Sequence, residues 1–131
     1  MSAPLDTLLA DLLRRVPWGC SAMLIDWEGE MVVSAGGDPR PRGNRPPLEM
    51  PLVGAHFAVL LAQLQASLRR LGLGLGGIDE IRLTHDNLEL LVHPLAAGYF
   101  LLLALAPGHR DAAARAAFEL RQTATAMAAE I

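Results

Sequence analysis

The side chains whose types and spacing most invite chemistry are three carboxylates at alternate positions, Asp26, Glu28 and Glu30, four histidines, His56, His85, His93 and His109, and a single cysteine, Cys20. Clustered carboxylates can trade protons with a substrate, and His, Cys and carboxylate sets can hold a metal. The spacing needed for either is missing. No two of these residues stand at i, i+4 on one helix, and no Ser or Cys sits in a nucleophile elbow. One cysteine makes neither an intramolecular disulfide nor a thiolate metal site. The three carboxylates crowd a hairpin, where such groups are ordinarily solvated. A glycine run, GLGLGG over 72–77, has the composition of a phosphate cradle but the wrong polarity. Nucleotide loops pass from strand into helix, so that the helix N-terminus meets the phosphate, whereas here a helix runs into the glycines. That order reads as a helix C-cap and connector. The expectation is a chain without catalytic residues of its own, without a metal and without a cofactor.

The totals agree. A chain of 131 residues fits one domain, 1–131, able to bury a core without staples. Acidic residues number 14 against 11 basic ones, all arginine, for a net charge of −3. That balance speaks against nucleic acid and anionic membranes. Asp6 and Asp11 interrupt the first apolar stretch, unlike a secretory signal. The longest unbroken apolar run, 99–107, is about half of a membrane span. A cytoplasmic protein without membrane insertion is expected. The 52% hydrophobic content is high for so small a domain, which implies that a partner covers part of the surface.

The elements follow from periodicity. Leu5, Leu8, Leu9, Leu12 and Val16 predict an amphipathic helix that Pro17 ends. Residues 21–26 and 30–35 predict a hairpin turning at Gly29, which supplies the positive φ. The stretch 36–47, GGDPRPRGNRPP, cannot join a core and reads as a flexible loop. A helix is predicted over 51–71, then an edge strand over 78–84, a strand over 88–93 and a doubly covered central strand over 99–106. Ala113, Ala117, Leu120, Ala124, Met127 and Ile131 make the stripe of a terminal helix.

The long middle helix organises the chain. At about 100° per residue, Val53, Phe57, Leu60, Leu61, Leu64, Leu68 and Leu71 form a bulky arc expected to face the core. Gly54, Ala58 and Ala62 form a small-residue ridge, flanked by Ala55 and Ala66, suited to close approach of another helix. Leu52, His56, Val59, Gln63, Ser67 and Arg70 form a mixed outer arc.

In this order the chain resembles the roadblock/dynein light chain family, including the bacterial regulators of small Ras-like GTPases. Three stretches carry the resemblance. LIDWEGEMVVSAGG over 24–37 is similar to the family's first hairpin, LVGAHFAVLLAQL over 52–64 to the start of its central helix, and the closing run of three strands and a helix to its C-terminal half. The resemblance implies an α+β fold, α-β-β-α-β-β-β-α. A five-stranded antiparallel sheet would carry the central helix on one face and the terminal helices on the other. It also implies a two-fold dimer joined by third strands and central helices. The interface expected on that basis comprises Gly54, Ala55, Ala58, Ala62 and Ala66 with Glu80, Ile81, Arg82 and Leu83.

The resemblance further implies a non-enzymatic homodimer that binds a small Ras-like GTPase and modulates its nucleotide cycle. The expected partner surface is Leu52, His56, Val59, Gln63 and Arg70. Arg40, Arg42 and Arg45 are a second candidate contact, for acidic patches or phosphates, against the plainer reading of a solvated loop. Two alternatives are a scaffold subunit without a GTPase partner and a small-molecule sensor. The near-absence of polar groups at expected core positions disfavours the sensor.

Overall fold

Leu5, Leu9 and Leu12, spaced a turn apart, are buried along one stripe of α1 (Ala3–Arg15), and Val16 continues it into the following turn. The computed structural model describes residues 3–37, 46–73, 78–95, 98–106 and 108–131. After α1 come β1 (Gly19–Asp26), β2 (Met31–Gly36), α2 (Met50–Arg70), β3 (Ile81–His85), β4 (Leu88–Leu95) and β5 (Tyr99–Leu105). A 3-10 turn, Arg110–Ala112, then opens α3 (Ala113–Ala128). The five strands form one antiparallel sheet in the order β2-β1-β5-β4-β3.

β5 lies at the centre, as its unbroken apolar run requires. Leu101, Leu103 and Leu105 pack with α1 and α3, against Leu9, Leu12, Ala116 and Leu120. Phe100, Leu102 and Ala104 pack on the other side with Met50, Ala58 and Leu61 of α2. A strand buried on both faces gains nothing from polar residues at alternate positions. The terminal helices thus share one face and the central helix has the other, which is the expected α+β arrangement. Ile131 departs from the expected stripe of α3, lying beyond the helix and exposed.

The first hairpin turns on Asp26. Its Oδ1 accepts the N–H groups of Glu28 and Glu30, both at 3.0 Å, and its carbonyl accepts Gly29 N–H at 3.0 Å. Gly29 takes φ +91°, the left-handed region expected of it. Asp26 therefore organises a turn. At the far end of α2, Leu73 N–H reaches Leu68 C=O at 2.8 Å and Gly72 N–H reaches Arg69 C=O at 3.1 Å. With Gly72 at φ +78°, this pair of bonds is a Schellman cap. The cap expected of the glycine run is made at Gly72, and residues 74–77 lie outside the described residues.

The rotation of α2 differs from the sequence expectation. Met50, Gly54, Ala58 and Leu61 are the buried residues of the helix, so Gly54 and Ala58 of the small-residue ridge face the chain's own sheet while Ala62 is exposed. A Cβ on Gly54 would lie 2.5 Å from Ile25 Cδ1 and 3.3 Å from Met23 Cε. The bulky arc is turned by roughly 60° from where side-chain size alone places it. Val53, Phe57 and Leu64 are half-buried, while Leu60 and Leu71 are exposed. The physical reason is distance. Glycine and alanine let the helix descend onto β1, and shape complementarity at close range outweighs the larger area of leucines held farther off.

Gly54→Leu should therefore overpack the α2–β1 contact and lower stability by about 1–3 kcal/mol. Ala62→Leu, on the exposed flank, should leave it unchanged. Urea midpoints of the two variants decide between this rotation and the opposite one.

Candidate interaction surface

Among the described residues β3 is bonded on one side only, to β4, and so leaves a row of backbone groups open at the sheet edge. Thr84 Oγ1 donates to Oε1 of the buried Glu89 across the pair at 2.8 Å, tying β3 to the sheet. Ile81, Leu83 and His85 alternate onto the face that carries α2. Ile81 is half-buried there, whereas Leu83 is exposed. Arg82 and Glu80 form an exposed ion pair at 3.3 Å, of small energetic weight.

Beside this edge lies a groove of about 680 Å³. Pro46, Pro47, Leu52, Leu83 and Leu88 wall it, and Glu49 and His85 are among its polar members. Glu49 is the N-cap residue of α2, yet its side chain makes no capping bond. The uncovered flank of α2 continues from here. Leu60 lies eleven residues on from Glu49, hence on nearly the same stripe. Leu52, Val59 and Leu60 are 54%, 56% and 52% exposed. By length and composition alone α2 is apolar enough to cross a membrane. In this fold it is bound to the sheet by one face and bare on the other.

The residues expected at a dimer interface thus divide. Gly54 and Ala58 are buried inside the chain, because they are the small residues that let α2 onto the sheet, and cannot meet a second copy. Ala55 is half-buried, close to Gly29, and Ala62 and Ala66 are exposed. On the edge, Glu80 and Ile81 are half-buried, and Arg82 and Leu83 are exposed. The residues expected to meet a partner, Leu52, His56, Val59, Gln63 and Arg70, are brought together on the exposed face with Ser67, the sixth member of the outer arc. Arg40, Arg42 and Arg45 lie outside the described residues. Sequence reasoning missed Leu60, Leu71 and the groove. Side-chain size points Leu60 and Leu71 inward, and the groove exists only where residues 46–52 meet the β3–β4 hairpin.

The groups singled out for chemistry are scattered. His85 Nδ1 accepts Asn87 N–H at 3.0 Å, His109 stacks on Trp18 with centroids 3.9 Å apart, and His56 stands exposed on α2. Burial pushes the Cys20 thiol up from its ordinary value. Among the described residues no three His, Cys, Asp or Glu side chains converge as a metal site.

No family model matches this sequence, and no curated protein does either. Solved structures do match. A Roadblock/LC7 domain from Streptomyces avermitilis aligns with TM-score 0.73 at 23% identity, over 93% of this chain and 92% of that one. MglB of Myxococcus xanthus aligns with TM-score 0.77 at 10% identity, over 97% and 94%. The chain has the Roadblock/LC7 fold. The gliding protein MglB of Thermus thermophilus is similar too, with TM-score 0.64 at 21% identity over 95% and 93%. Among the described residues the β3 edge, the groove and the outer face of α2 form one uncovered surface, and β2 is the other edge of the sheet.

His93 sits on β4 near the entry to β3. Burial lowers its pKa from the ordinary 6.5, and the charge of Arg121 adds to this. Its hydrogen bond to the Asp79 backbone and the carboxylates of Asp79 and Glu80 oppose the shift. Among the described residues its Nδ1 is buried without a hydrogen-bond partner. A histidine held neutral by the fold binds more protons when unfolded. Stability should therefore be flat above pH 6.5, fall as pH drops below it, and flatten again below the folded-state pKa. Chemical denaturation from pH 7.5 to 5 (roughly the window of an ordinary histidine), compared with His93→Gln, should show a shallower slope in the variant.

Proposed function

We propose that this chain is a homodimeric, non-enzymatic regulator or platform that binds a small Ras-like GTPase in the cytoplasm and modulates its nucleotide cycle. The observation that carries this reading is a bare, mostly apolar helix face beside an unpaired strand edge, on a Roadblock fold. An unpaired edge is closed without distortion by a second copy, because a two-fold axis normal to the sheet makes β3 pair with itself antiparallel. The same axis sets two α2 helices side by side and doubles the outer arc. His56, Val59 and Gln63 then form the centre of a mixed apolar and polar patch, of the composition protein partners use, with Leu52 and Arg70 at its margin toward the second copy. Hydrolytic groups would belong to the GTPase, since the histidines, Cys20 and the hairpin carboxylates of this chain do not converge.

Affinity capture from the native host, with GTP or GDP present, tests the partner. A small GTPase enriched in one nucleotide state is expected, and Val59→Asp should abolish the enrichment without changing the melting temperature. Capture of structural components alone would favour the scaffold reading.

A further inference from the structure

The most exposed large hydrophobic side chains among the described residues are Leu71 and Leu73, at 73% and 59%. They project from the Schellman cap at the end of α2, directly after Arg69 and Arg70. The same chain carries the complementary feature at the other end of this helix. The groove there is walled by prolines and leucines and has Glu49 among its lining residues, exposed and taking no part in capping. A knob and a socket at opposite ends of one helix cannot meet within a chain. A two-fold axis through the β3 edge brings them together, because antiparallel α2 helices place each C-terminus beside the other's N-terminus.

We infer that the α2 C-terminal knob of one copy, Leu71 and Leu73, plugs the groove of a second copy, with Arg70 of each facing Glu49 of the other. This deepens the dimer reading and rests on it. Three features favour a second copy as the occupant. The groove is continuous with the open edge of β3, since Leu83 and His85 belong to both. The charges are complementary, acidic at the socket and basic at the knob. The helix ends are complementary as well, since the partial negative charge of one C-terminus approaches the partial positive charge of the other N-terminus. The knob is also held ready, because the glycine at φ +78° and its two backbone bonds fix where Leu73 leaves the helix.

Charge exchange tests the pairing. By light scattering and sedimentation, Glu49→Arg and Arg70→Glu should each weaken self-association about tenfold or more at low salt. Mixing the two variants should restore it, because both contacts become complementary in the mixed dimer, and the double variant Glu49→Arg/Arg70→Glu should restore it within one chain. Circular dichroism establishes that each variant is folded. Single variants that associate like the parent would overturn the knob-and-socket contact while leaving the dimer intact. Weakened variants that fail to rescue one another would overturn the Glu49–Arg70 pairing. A parent chain that is monomeric at about 100 µM, weaker than roughly 5 kcal/mol of association, would overturn the dimer reading itself.

Discussion

The close approach of Gly54 to Ile25 decides how the rest of this molecule presents itself. With only a hydrogen where other residues carry a Cβ, α2 settles onto β1, and Ala58 one turn later keeps it there. That contact sets the rotation of the helix about its own axis. Once the rotation is set, the bulky arc cannot all reach the core, and Leu60 and Leu71 are left in solvent with Leu52 and Val59. The bare face of α2 is a consequence of how the helix is seated.

The other face of the sheet is under no such constraint. There α1 and α3 share the cover, and their stripes of leucine and alanine are nearly all buried against β1, β4 and β5. Arg15 links the two helices by bonding Glu119 at 2.8 Å and Thr123 at 3.2 Å. One face of the sheet is therefore complete within the chain, and the other is covered along the middle and bare toward β3. This asymmetry gives physical content to the high apolar fraction. Among the described residues Leu52, Val59, Leu60, Leu71, Leu73 and Leu83 are exposed along α2, its cap and the β3 edge, while Trp18, Met31, Val32, Phe118 and Ile131 are exposed elsewhere.

Most elements were legible because their patterns follow from local rules. The uninterrupted run of β5 marked a doubly covered strand, the alternation around Ile81 and Leu83 marked an edge, and Gly29 and Gly72 stand where a turn and a cap need positive φ. Element ends shifted by a few residues, since the last hydrogen bonds of a strand depend on its neighbour. The candidate site was legible in part. Helical spacing alone puts Leu52, His56, Val59, Gln63 and Arg70 on one exposed face, whereas Gly54 and Ala58, whose small size suits contact with another helix, belong to the chain's own core. A ridge of small residues signals that something comes close, without saying whether that is a sheet or another helix.

By itself the sequence determined the order of the elements, the two-sided burial of β5 and the exposed edge at β3. Each of these rests on side-chain type and period along one segment. Only the tertiary structure decided which face of α2 is inward, because that depends on the clearance above Ile25 and Met23, residues about thirty positions away. It alone also formed the groove, whose walls come from segments far apart in the chain that meet only when the sheet has folded.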